Sequence, residues 1–181
     1  MAPDEAWRIL ADADSIVGAE EIQRALDRMA AEIMARLDEA NPLALSVMTG
    51  AVFLAGQLLP RLAFPLEYDY LHATRYRNTK QGHGIDWVIE PRTPVAGRTV
   101  LVLDDILDEG ITLAAIKARL LDRGARECLT AVLAVKDIGQ PQPIAADFAA
   151  VRLPNRYVFG CGMDVAGTWR NLPAIYAVKD L

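Results

Sequence analysis

The chain has 181 residues, 52% of them apolar and 24% charged, with a formal net charge of −5 and a pI near 5.0. That length suits one domain with its own core and room for a small appendage. The acidic balance excludes a global attraction to nucleic acid or anionic lipid, so a phosphate must be gripped locally, by backbone N–H groups and helix N-termini.

Cys128 and Cys161 lie in apolar runs and read as reduced core residues. Neither they nor His72 and His83 form a close pair with metal-ligand spacing, which argues against zinc. The N-terminus lacks the basic-then-apolar order of a secretory signal, and no apolar run is long enough to span a membrane. The expectation is a soluble cytoplasmic protein.

Residues 4–38 read as helical, with Ile22, Leu26, Met29, Ile33 and Leu37 recurring at steps of three and four. Asn41-Pro42 ends that block, because a residue before proline avoids the helical region. Residues 43–48 read as a buried strand, Thr49-Gly50 as a tight turn, and 51–59 as a helix that Pro60 helps to end. Residues 66–74 alternate as a strand should, 75–86 form a long polar glycine-containing loop, and 87–90 resume as a strand. The clearest strand is 99–103, TVLVL, short and β-branched as a buried parallel strand should be. A helix over 112–123, ended by Gly124, leads to a second buried strand at 128–135. Residues 149–153 and 157–161 are short candidate strands. Strand, helix and strand in this order imply right-handed crossovers and a parallel α/β sheet.

The acidic segment after TVLVL, Asp104 to Thr112, carries the densest chemistry. Ligands bind at the carboxyl ends of strands in open α/β sheets. Asp104 and Asp105 can accept from ribose hydroxyls and anchor hydrated magnesium. Asp108 to Thr112 opens a helix whose first N–H groups suit a phosphate, Gly110 permits close backbone approach, and Thr112 adds a hydroxyl. A plain solvated turn with a capping Asp or Thr reads the same residues. The Asp-Asp-x-x-Asp of isoprenoid synthases is a further reading, but it belongs on a helix, and this copy follows a strand. Neither the dinucleotide nor the nucleoside-triphosphate glycine spacing occurs.

LVLDDILDEGIT resembles the 5-phosphoribosyl-1-pyrophosphate (PRPP) motif of type I phosphoribosyltransferases, and most of all the hypoxanthine-guanine enzymes. The chain departs from that motif at Glu109, where Thr is usual, and at Ile111, often Lys. The resemblance covers about residues 43–181. It is most specific in the C-terminal stretch ADFAAVRLPNRYVFGCGMDVAGTWRNL.

The resemblance implies one phosphoribosyltransferase domain, a mostly parallel sheet flanked by helices. A small hood would come from residues 1–40 and 154–181, around a core of 43–153. It implies transfer of a phosphoribosyl group from PRPP to hypoxanthine or guanine with Mg2+, in a homodimer or homotetramer, with no nucleic-acid or membrane partner. Asp108 would be the catalytic acid or base. Asp104, Asp105, Glu109, Gly110, Ile111 and Thr112 would hold the ribose phosphate. Met48, Thr49 and Gly50, with Thr49 in place of a basic residue, would hold pyrophosphate together with Arg170. Thr74, Arg75 (for the usual Ser) and Tyr76 would begin a closing loop. Lys136, Tyr157, Val158 and Asp164 would meet the purine, and Asp104, Asp105 and Asp164 the metal. A phosphoribosyltransferase for xanthine or another base, and a non-catalytic nucleotide-binding regulator of the same fold, are the rival readings.

Overall fold

The computed structural model describes residues 1–75 and 85–179, with Arg75 placed by its backbone alone. Six strands form the central sheet in the order β4-β3-β2-β5-β6-β7. They are β2 (Leu43–Val47), β3 (Glu67–Arg75), β4 (Ile85–Ile89), β5 (Thr99–Leu107), β6 (Glu127–Asp137) and β7 (Phe148–Pro154). All neighbours are parallel except β3 and β4. The chain runs from β2 outward to β3, then returns to β5 and proceeds the other way through β6 to β7. The strand order therefore reverses between β2 and β5, the place where open α/β sheets bind their ligands.

Alternation along the strands covers both sheet faces. Leu101, Leu103, Leu129, Ala131 and Leu133 pack against α2 (Ala19–Leu37) and α3 (Val52–Leu58). Leu43, Leu45, Val100, Val102 and Val132 pack against Leu113, Ile116 and Leu120 of α4 (Ile111–Asp122). The apolar stripe expected from Ile22 to Leu37 is the inner face of α2, and all five of its residues are buried.

The helical reading of 4–38 needs correction. Helix α1 (Pro3–Asp12) stops before a strand, β1 (Asp14–Val17), and α2 begins only after Gly18. The four residues DSIV are too short to show a period, and they are held as a strand by a distant partner. β1 pairs antiparallel with β9 (Ile175–Ala177), which also pairs with β8 (Val158–Phe159). The two ends of the chain thus share a small three-stranded sheet. Only Val158 and Phe159 of the expected strand 157–161 are extended, because Gly160 and Cys161 turn at positive φ. Helix α1 is docked by an edge-on contact of Trp7 with Trp169, centroids 5.0 Å apart, and by the Trp169 Nε1 donating to the Ala6 carbonyl at 3.0 Å.

Strand ends shift as well. β5 runs four residues past Leu103, keeping its ladder with β6 through Leu107↔Val135, and β6 runs on to Asp137. The expected loop 75–86 loses both ends to β3 and β4, and residues 76–84, Tyr76 among them, lie outside the described residues.

Candidate active site

Asp104 and Asp105 sit inside the last part of β5, not in the loop beyond it. Both are half-buried side by side on the cleft floor. Each carboxylate accepts from the N–H of the next residue: Asp104 Oδ1 from Asp105 at 3.0 Å, and Asp105 Oδ1 from Ile106 at 2.7 Å. Burial, and then the neighbouring Asp105 charge, hold the Asp104 carboxyl well above its ordinary value. Asp105 is raised too, again chiefly by burial, against the Ile106 N–H and the Arg170 charge that pull it down. Two desolvated carboxyls in contact call for a cation or for hydroxyl donors.

The turn after β2 closes on this floor. A Cβ on Gly50 would stand 2.2 Å from Asp105 Oδ2, so only glycine lets the turn lie against the carboxylate. Gly162, at φ +102, rests in turn on the Gly50 carbonyl. Arg170 locks the third side. It donates to the Gly162 carbonyl at 2.6 Å, forms an ion pair with Asp164, and comes within 3.9 Å of Asp105. Asp164 also accepts from the Gly167 N–H at 2.6 Å.

These groups line a cleft of about 1000 Å³ with Met48, Thr49, Gly50, Thr74 and Thr112. Thr112 stands in the first turn of α4, whose cap residue Gly110 has φ +78 and no side-chain cap. The first N–H groups of that helix have no side-chain cap, and Thr112 brings its first turn to the cleft wall. Glu109 and Ile111 flank the cap, Glu109 exposed and Ile111 half-buried. His72 and Ala73 also line the cleft. Sequence reasoning missed both, since a histidine at the end of a strand carries no signal of its own.

A second cavity of about 210 Å³ opens beside the first, sharing Asp105, Ile106 and Asp164 with it, and adds Asp108, Lys136, Tyr157, Val158 and Met163. Lys136 is 8% exposed, inside the end of β6, not a surface lysine closing a strand. Its ammonium donates to Asp108 Oδ2 at 2.7 Å. Tyr157, 44% exposed, lines the same cavity as this pair. Most of the expected residues thus fall into two adjoining pockets. Glu109, Gly110 and Ile111 line neither pocket and stand at the cap of α4, and the Arg75 side chain and Tyr76 lie outside the described residues.

An acidic floor, a glycine turn and a helix N-terminus at the switch point of a parallel sheet define a sugar-phosphate enzyme of the phosphoribosyltransferase class. The phosphoribosyl transferase domain family matches residues 12–165, and the chain belongs to that family. Within it, the chain is 33% identical to the hypoxanthine-guanine-xanthine phosphoribosyltransferase of Tritrichomonas foetus, over 98% of this chain and 94% of that one. It is 32% identical to the hypoxanthine-guanine phosphoribosyltransferase of Bacillus subtilis (strain 168), over 91% and 92%. A solved hypoxanthine-guanine-xanthine phosphoribosyltransferase superposes with a TM-score of 0.85 at 31% identity, covering 94% of this chain and 99% of the other. The hypoxanthine phosphoribosyltransferase of Staphylococcus aureus, 21% identical, shares the fold with a TM-score of 0.88, over 95% of each chain. Among the described residues no helix is long and apolar enough to cross a membrane.

Proposed function

We propose that this chain transfers the 5-phosphoribosyl group of PRPP to the N9 of hypoxanthine or guanine, releasing pyrophosphate. The observation that carries the reading is the Lys136–Asp108 pair, 2.7 Å apart, sharing with Tyr157 a pocket that adjoins the cleft of the acidic floor and Thr112. A cation, a carboxylate and an aromatic face suit a purine bearing a 6-oxo acceptor and a ring nitrogen that gains or loses a proton.

In this reading the purine stacks on Tyr157, Lys136 donates to its 6-oxo group, and the Val158 backbone meets the ring edge. Asp108 hydrogen-bonds N7 and moves the proton there. Asp104 and Asp105 orient the ribose hydroxyls, and the N–H groups at Gly110 to Thr112 hold the 5-phosphate. The Met48–Gly50 turn and Arg170 meet the pyrophosphate as its bond to C1 breaks. Positioning and charge placement carry the rate, because the protein forms no bond to the substrate.

The oxygen-only donors Asp104 and Asp105 fit magnesium, which is usually held by one or two carboxylates plus substrate phosphates. Among the described residues no group of three His, Cys, Asp or Glu is placed to hold a metal ion, so Asp164 is not gathered with Asp104 and Asp105 into one ligand set. By the family resemblance Asp164 would help to hold a second ion. Bound magnesium would supply positive charge against the leaving pyrophosphate.

Steady-state kinetics with PRPP, magnesium and a panel of hypoxanthine, guanine, xanthine and adenine test the reading. Xanthine belongs in the panel because the Tritrichomonas relative is named for it. Lys136→Ala should lower kcat/KM for hypoxanthine about 10- to 150-fold, the worth of one charge-assisted hydrogen bond, and change the low adenine rate little. Equal use of adenine and hypoxanthine by the wild type would sink the assignment.

A further inference from the structure

The ladder between β5 and β6 ends at Leu107↔Val135, one residue short of the two groups that matter. Asp108 lies just past the end of β5, while Lys136 continues β6 and pairs with Leu153 of β7, so the two form no register pair of their own. A side chain from the connection between β6 and β7 stands there instead. Gln142 Nε2 lies 2.5 Å from the Asp108 carbonyl, 3.3 Å from the Lys136 carbonyl and 3.4 Å from the Leu107 carbonyl. Its two N–H groups are shared among three acceptors on both strands. The next two residues reach the phosphate side: Pro143 Cδ and Ile144 Cγ2 each come within 3.3 Å of where a Cβ on Gly110 would stand. Gln142 itself lines neither pocket.

We propose that Gln142 is a positioning residue for the base site. Its amide ties the carbonyls of the two strand ends together beyond the last register pair and so sets the spacing of the Asp108 carboxylate from the Lys136 ammonium, while Pro143 and Ile144 brace the loop against the cap of α4. Loss of the amide lets the two strand ends separate, and the purine then cannot meet Lys136 at its 6-oxo edge and Asp108 at N7 together. The inference rests on the reading of Asp108 and Lys136 as the groups that contact the purine.

The test compares Gln142→Met, which keeps length and packing without donors, and Gln142→Glu, which sets a carboxylate against three carbonyls. Asp108→Asn and Lys136→Ala run in parallel. Gln142→Met should raise the KM for hypoxanthine roughly 3- to 10-fold, the worth of one hydrogen bond, with the KM for PRPP within about twofold and melting little changed. Gln142→Glu should raise the hypoxanthine KM further. A merely structural role would lower the melting temperature and raise both KM values together, and that result overturns the proposal. So does an unchanged hypoxanthine KM in both Gln142 variants while Asp108→Asn and Lys136→Ala lose activity. If those two variants also leave turnover of the base unchanged, the base-site reading itself has failed, and the clip falls with it.

Discussion

Replacing Gly162 by alanine should damage the side of the cleft built by Gly50 and Arg170, where pyrophosphate is proposed to bind, without unfolding the chain. The new Cβ would stand 2.1 Å from the Gly50 carbonyl oxygen, and ordinary contact begins near 3.4 Å, so the two turns must part by roughly 1 Å. The residue would also carry φ +102, a conformation that L side chains rarely adopt. Strain and overpacking together cost about 2–4 kcal/mol, less than a domain's usual stability. The melting temperature should fall by roughly 5–15 °C. The larger effect is on turnover. Gly162 holds Arg170 through its carbonyl, and it supports the turn that meets Asp105. A displacement of about 1 Å in such a frame lowers turnover on the order of 10²-fold. Gly97→Ala is the control: φ is +71 but nothing lies within 4 Å of its Cβ, so it should cost about 1–3 kcal/mol and spare activity. Thermal melts and PRPP kinetics on both variants decide the matter. If Gly162→Ala keeps kcat/KM for PRPP within about threefold, the stacking of Gly162 on Gly50 does not set the pyrophosphate turn.

Asp104→Asn should abolish most activity yet stabilise the ligand-free protein at neutral pH by about 0.5–2 kcal/mol. The folded carboxyl is raised above its ordinary 3.8, so wild-type stability is lost as pH rises through the raised value, and the asparagine escapes that loss. Melts from pH 4 to pH 8 should show the two proteins converging at the acid end; a constant gap would refute the coupling. Cys128 and Cys161, their thiols pushed by burial up to about 11 and about 12, should resist a thiol-specific disulfide reagent at pH 8 in the native state and react after denaturation. Fast labelling of the folded chain would contradict their burial.

The parts of this molecule legible in its sequence are those whose signal is local. The run TVLVL is a strand because β-branched and apolar residues suit a doubly covered parallel strand, and the inner face of α2 is written in the spacing of Ile22 to Leu37. The acids after TVLVL could be placed at a strand's carboxyl end for the same reason. What failed to show depends on partners far away in the chain. β1 is a strand because Asp14 meets Ala177, and no window of neighbouring residues contains that fact. The extension of β5 past Leu103 was hidden because Asp104 and Asp105 break the apolar pattern while the backbone continues its ladder with β6. Gln142 was invisible for a related reason: one amide in a loop means nothing until three carbonyls are found around it.

The charges explain how such a site can be stable before its ligands arrive. Arg170 is already paired with Asp164, and Lys136 with Asp108, so each cation that a pyrophosphate or a purine would use has a carboxylate of its own. Binding at those two points exchanges one partner for another. Exchange returns little free energy per contact, but it keeps the donors oriented in advance, which is what stabilising a charge in the transition state requires. Asp104 and Asp105 differ. Their repulsion and desolvation are only partly relieved within the protein, since the Arg170 guanidinium that draws Asp105 down stands 3.9 Å away and already serves Asp164. The net attraction of the cleft is therefore concentrated on the acidic floor, where ribose hydroxyls and a divalent ion would remove an existing penalty. It follows that the sugar phosphate with its metal should supply most of the affinity, and that the purine, whose anchors are merely re-paired, should bind weakly until the floor is filled.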